Sequence, residues 1–91
     1  MYRIRLSDGT EYPARFCAAR GDLLTMSIDT DRSFLSLAHA FSDYADTVVF
    51  LYDSTEQAFE AFNELVMING STRGEYLITL RKGLSNNAAQ V

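Results

Sequence analysis

The sequence contains no tryptophan, one cysteine, one proline, one histidine and five scattered glycines, and each scarcity excludes something. Cys17 alone forms no internal disulfide, so no bridge staples the fold and a reducing compartment, the cytoplasm, is expected. His39 is the only imidazole, and Cys17 stands about twenty residues away on a different element. No zinc site of recognised spacing can be assembled from the pair. Gly9, Gly21, Gly70, Gly74 and Gly83 each stand alone at turn positions, so there is no loop to cradle a phosphate. No window approaches the ~18 uninterrupted apolar residues of a spanning helix. The opening Tyr2-Arg3-Ile4-Arg5-Leu6 alternates charge with apolar side chains, unlike the apolar run of an export signal.

Basic residues are also scarce where acids are dense. Between Asp22 and Glu64 nine acids face Arg32 alone, a net −8, while the flanks carry three acids and seven bases, or +4; together they make the −4 of the chain. A middle at −8 repels phosphate and attracts basic protein surface, so direct nucleic-acid binding is not expected there. Asp43, Asp46, Asp53, Glu56, Glu60 and Glu64 form the candidate acidic partner-binding face.

What the sequence has in abundance is hydrophobic residues, 47% of 91, enough for one globular domain of ordinary composition. The domain is expected over 1–84, with 85–91 as a mobile polar tail. One small core leaves self-association open as a source of stability. Tyr2, Ile4 and Leu6 alternate with polar neighbours as in a half-buried strand. Asp8-Gly9 then turns the chain into a return strand over Tyr12–Ala18, with Pro13 demanding an edge or a bulge. Arg20-Gly21-Asp22 makes the next turn, and Leu23–Ile28 reads as a third strand.

Phe34, Leu37, Ala38 and Phe41 recur at helical spacing after the caps Asp31 or Ser33, predicting a helix over about 33–42. Thr47–Tyr52 is β-branched and aromatic throughout, the composition of an interior strand. Ala58, Phe59, Phe62, Leu65 and Val66 fit one helix face, and Ser54 with Gln57 makes a capping box, which predicts a short helix over 55–62. A terminal hairpin of strands follows, about 64–69 and 76–80, around Asn69-Gly70. The expected class is α+β, an antiparallel sheet with one or two short helices in the order β-β-β-α-β-(α)-β-β.

No catalytic constellation emerges, no cofactor is implied and no metal ligands are assigned. Asp29 and Asp31 open like a calcium loop, but Phe34 and Ala40 occupy the positions that need glycine and glutamate. His39 belongs on the helix surface, and Cys17, beside Phe16 in an apolar strand, belongs in the core. Arg20-Gly21-Asp22 and Asn69-Gly70-Ser71 match an adhesion tripeptide and a glycosylation acceptor, yet both are accounted for as turns. Tyr2, Phe16, Phe34, Phe41, Phe50, Phe59 and Phe62 are expected on core faces rather than as base-stacking platforms.

Met1 to Thr10, the Ser36–Asp43 helix, Phe59-Glu60-Ala61-Phe62 with Leu65-Val66, and Tyr76–Lys82 together resemble small phage and prophage proteins of Gram-positive bacteria. Members of that group are often encoded near tail genes, so the resemblance implies a structural or assembly role in the cytoplasm of a bacterial host or in the virion. It also implies a strand near Phe59, with Ala61 where the pattern would place glycine. The expected function is therefore a non-enzymatic phage or prophage accessory protein acting through protein–protein contacts, its partner a phage structural component. The rivals are an inhibitor that presents its acids to a host defence nuclease as a nucleic-acid mimic, and a small metal-dependent hydrolase built on Asp22, Asp43, Asp46 and Asp53.

Overall fold

The computed structural model describes residues 2–70 and 74–83; the expected tail, 85–91, lies outside them. Among these described residues seven strands and one helix follow one another as β1 (Tyr2–Arg5), β2 (Glu11–Arg20), β3 (Leu23–Asp29), α1 (Phe34–Asp43), β4 (Thr47–Tyr52), β5 (Thr55–Glu60), β6 (Glu64–Gly70) and β7 (Glu75–Arg81). The chain is an antiparallel sheet protein with one short helix, in the spatial order β5-β4-β1-β2-β3-β7-β6.

That order cannot be flat. Every neighbouring pair is antiparallel, so β5 and β6, at opposite edges, run in the same direction, yet only residues 61–63 separate them. The end of one edge must reach the start of the other, and the sheet folds over on itself. Two corners make this fold. At the first, β2 pairs with β1 through Glu11–Pro13 and with β3 from Ala14 onward, with a bulge between Ala14 and Phe16. Strands that switch sheets do so through such bulges. Pro13, which has no N–H, has a partner on one side only, as its chemistry requires. At the second corner Ala61 takes a left-handed φ of 71°. Its N–H donates to the Asp46 carbonyl at 2.9 Å and its own carbonyl accepts from Gly83 N–H at 3.1 Å, which ties β4, β5 and the end of β7 together.

Between the folded halves lies one core. Ile4, Leu24, Met26, Ile28, Val48, Ile78 and Leu80 from the strands meet Leu37 and Phe41 from α1, all fully buried. The Ser33 side chain caps α1 by accepting from Ser36 N–H at 3.1 Å. The two ends of the helix are anchored apart, one to β7 and the other to the β1–β2 turn: the Tyr76 hydroxyl donates to the Arg32 carbonyl at 3.3 Å, and Ser7 donates to the Tyr44 carbonyl through both N–H and Oγ, each at 2.9 Å. Leu37 and Phe41 each contribute about 1.5–3 kcal/mol by leaving water. Losing them would open the concave side of the sheet.

Two expectations are corrected. Residues 55–60 are strand β5, not the second helix. The chain reverses at Asp53, which takes a positive φ of 54°, and the whole of β5 then pairs with β4 from Tyr52↔Thr55 to Thr47↔Glu60, so ladder hydrogen bonds override local helix propensity. Of the seven aromatics expected in the core, Phe41, Phe50, Phe59 and Phe62 are buried, while Tyr2, Phe16 and Phe34 are exposed. Phe16 is turned outward by the bulge. Tyr2 begins β1, where its ring edges onto Phe50 and Tyr52, and Phe34 is the first residue of α1, one turn before the buried stripe of Leu37 and Phe41. β4 is an interior strand, as its composition predicts. Val48 and Phe50 join the core, while Leu51, on the opposite face, is buried between its cross-strand neighbours Arg3 and Glu56.

Candidate functional site

The outer face of β2-β3-β7-β6 can be read directly from the ladder register, because paired residues project to the same side of a sheet. Arg20, Leu23, Arg81 and Glu64 form one row across the strands; Ala18, Thr25, Thr79 and Met67 form the next; Phe16, Ser27, Leu77 and Asn69 form the third. A fourth row, Asp29 and Glu75, closes the far end with Arg15, whose guanidinium bridges Asp29 at 3.4 Å and Glu75 at 2.9 Å. The two middle rows carry no charge. Phe16, Met67 and Leu77 are exposed there, joined by Val66 from the bulge between Leu65 and Met67. Beside them a shallow depression of about 260 Å³ is lined by Ser27, Asn69, Gly70, Glu75, Tyr76 and Leu77. An uncharged strip with large apolar side chains, bounded by ion pairs at both ends, is the anatomy of a contact surface.

Sequence reasoning missed this face, although a signal was present. Phe16 and Cys17 are adjacent in one strand, so only one of them can face the core, and Tyr12 and Cys17 are an odd number of positions apart. Both are buried. A strand satisfies that spacing only by inserting one residue, and the residue is Arg15, whose charge suits the outside.

The six candidate acids are distributed over several elements. Asp46, Asp53, Glu56 and Glu60 belong to the β4–β5 hairpin and its ends, whereas Asp43 closes α1 and Glu64 opens β6. Asp46 and Asp53 flank opposite ends of β4, roughly 20 Å apart at the usual rise of a strand. Glu56 is 3.7 Å from the Arg5 guanidinium, and Glu64 is 3.3 Å from that of Arg81. All six are exposed, and among the described residues Asp43, Asp46, Asp53 and Glu60 make no ion pair.

The groups with reactive chemistry are placed apart. His39 is exposed on α1. Cys17 is 8% exposed, and burial pushes its thiol up to about 12, which leaves almost no thiolate at neutral pH. Asp22 sits in the β2–β3 turn, where its carbonyl accepts from Lys82 N–H at 2.8 Å, away from Asp53 in the β4–β5 turn. Among the described residues no three His, Cys, Asp or Glu side chains gather closely enough to hold a metal ion, and no helix is long and apolar enough to cross a membrane. No family model, curated protein or solved structure matches the chain.

Proposed function

We propose that this chain is a non-enzymatic phage or prophage accessory protein, associated with the tail or baseplate, that works by protein–protein contact. The observation that carries the contact reading is the uncharged outer strip that bears Phe16 on β2, Leu77 on β7 and Val66 and Met67 on β6. Four large apolar side chains held outward, three of them beside bulges and Leu77 by the regular alternation of β7, weaken solubility without strengthening the core, and a partner that covers them recovers the burial. The placement in a phage rests on the resemblance of the first turn, the helix and the last strand to phage and prophage proteins. The nucleic-acid-mimic reading has less support, since Glu56 and Glu64 already face arginines and Asp53 stands at the opposite end of β4 from Asp46.

The test is a tagged pull-down from a phage-producing Gram-positive host, washed at low and then high salt, with the native chain beside a Phe16→Ser/Leu77→Ser variant of unchanged circular dichroism. Tail or capsid components held by the native chain through the high-salt wash, and lost by the variant, are the expected result. Recovery of a basic nuclease that is released by salt and indifferent to the variant would sink the proposal in favour of the mimic.

A further inference from the structure

We infer that the outer edge of β5, which no described strand pairs with, docks an extended, basic segment of a partner polypeptide, which adds to the sheet as a further strand. This site lies on the other half of the sheet from Phe16 and Leu77 and goes beyond the contact proposed for them.

The edge is defined by the hydrogen-bond phase of the hairpin. Ala61 N–H donates to the Asp46 carbonyl at 2.9 Å, one step beyond the Thr47↔Glu60 pair and in the same register. In an antiparallel ladder the groups of alternate residues point to the same side. Residues 55, 57 and 59 therefore turn their N–H and C=O toward β4, as Ala61 turns its N–H alone, and Glu56, Ala58 and Glu60 turn theirs outward. Among the described residues no strand pairs with that side. Exposed edges are usually blunted by a bulge, a proline, a lysine or a covering element. The opposite edge shows two of these, for β6 is bulged between Leu65 and Met67 and α1 packs against it. β5 is regular over its six residues and has no proline or lysine. Such an edge is a template for strand addition.

The side chains select the occupant. Glu56, Ala58 and Glu60 lie on the outer face, where an added strand places every second side chain beside them. Residues 43–64 include six acids and no lysine, arginine or histidine; among the described residues Glu56 pairs with the Arg5 guanidinium at 3.7 Å, which is shared with Glu11 at 3.8 Å, and Glu60 makes no ion pair. A second copy of β5 is a poor fit, because full antiparallel overlap sets each Glu56 opposite a Glu60. A strand with lysine or arginine at alternate positions meets both glutamates on one face. Its other face meets the exposed Thr55 and Gln57 and the buried Phe59, which favours small β-branched residues there.

The experiment titrates the isotope-labelled chain with Ac-Thr-Lys-Val-Lys-Val-Lys-Thr-NH2 and with its isomer Ac-Lys-Lys-Lys-Thr-Val-Val-Thr-NH2, which has the same charge without the alternation. The alternating peptide is expected to shift and saturate the amide signals of Glu56, Ala58 and Glu60 below ~1 mM, the weak end of specific affinities, and to bind several-fold more weakly at high salt. Ala58→Pro removes one outward N–H and no bond to β4, so the variant should fold and lose binding. If it does not fold, Glu56→Lys/Glu60→Lys should reverse the preference toward the same peptide with glutamate for lysine. Equal binding of the two isomers, unchanged binding by folded Ala58→Pro, unreversed preference, or no saturation at ~1 mM overturns the inference. None of these outcomes bears on the pull-down through Phe16 and Leu77.

Discussion

Removing the hydroxyl of Tyr12 should stabilise the protein, against the usual direction of a Tyr→Phe change in a core. Tyr12 is 2% exposed, its ring lies 5.8 Å from that of Phe41, and the Arg32 guanidinium stands 5.8 Å above it. Its hydroxyl is buried, and among the described residues it has no hydrogen-bond partner. A buried hydroxyl that is hydrogen-bonded contributes ~0.5–1.5 kcal/mol, whereas one left unpaired costs ~1–3 kcal/mol of desolvation. Phenylalanine preserves the ring packing and the cation–π contact and removes the cost. Tyr12→Phe is thus expected to gain about 1 kcal/mol, or about 4–8 °C in Tm for a domain of this size. Urea melts at constant m-value measure it. A second signature is pH: burial raises the phenol above its ordinary 10.0, with Arg32 opposing and the Asp8 carboxylate adding. A pKa raised in the fold favours the folded state below pH 10 and loses that contribution as pH climbs through the folded value. The variant should lack this alkaline loss. A decrease in stability of ~0.5 kcal/mol or more would mean that the hydroxyl is satisfied, and the reasoning from its isolation would fail.

Phe41→Ala should cost ~3–5 kcal/mol by leaving a cavity between α1 and Tyr12, a large share of the ~5–10 kcal/mol expected of so small a domain, while Leu35→Ala, at an exposed position of the same helix, should fall within ~0.5 kcal/mol in the same denaturant melts. Cys17 should resist a thiol reagent at pH 8 in the native chain and react at once in urea. Since burial raises its thiol from 9.0 to about 12, its contribution to stability should be complete below pH 9 and disappear between there and pH 12. Ala61→Gly should stabilise by ~0.5–1 kcal/mol, because a left-handed alanine costs ~1–2 kcal/mol and the added freedom of glycine in the unfolded chain returns ~0.4–1; thermal melts read the sign.

The elements that the sequence announces are those whose signals are local. Asp8-Gly9 turns β1 into β2, with Gly9 at a φ of 91° and Thr10 N–H donating to Asp8 at 3.0 Å. Leu24, Met26 and Ile28 alternate inward as their period requires, and α1 spans 34–43 against an expected 33–42. The miss at 55–60 has a physical cause. Glu56, Gln57 and Ala58 are helix formers, and Phe59 with Phe62 are spaced for one helix face. In the fold those two rings do meet, at 6.4 Å and 70°, because the left-handed turn at Ala61 reverses the side on which the chain presents them. Helix and bent strand satisfy the same pair, so the apolar pattern alone could not choose.

What decides between them is non-local. β4 has β1 on one side and needs a second partner on the other, and a reversal at Asp53 delivers β5 to that position within two residues. The same reasoning explains why the outer apolar strip is not legible in the sequence. Whether Phe16 faces in or out depends on a single inserted residue, Arg15, and an alternating pattern read through a bulge inverts every position after it. The corner that closes the core and the apolar strip on the outside therefore share one origin. Removing Arg15 to restore the alternation would exchange Phe16 with Cys17, placing a phenyl ring where the core has room for a thiol. A fold that needs the bulge at that corner must carry Phe16 outside, so the exposed apolar strip at that position has a structural reason to exist before any functional one.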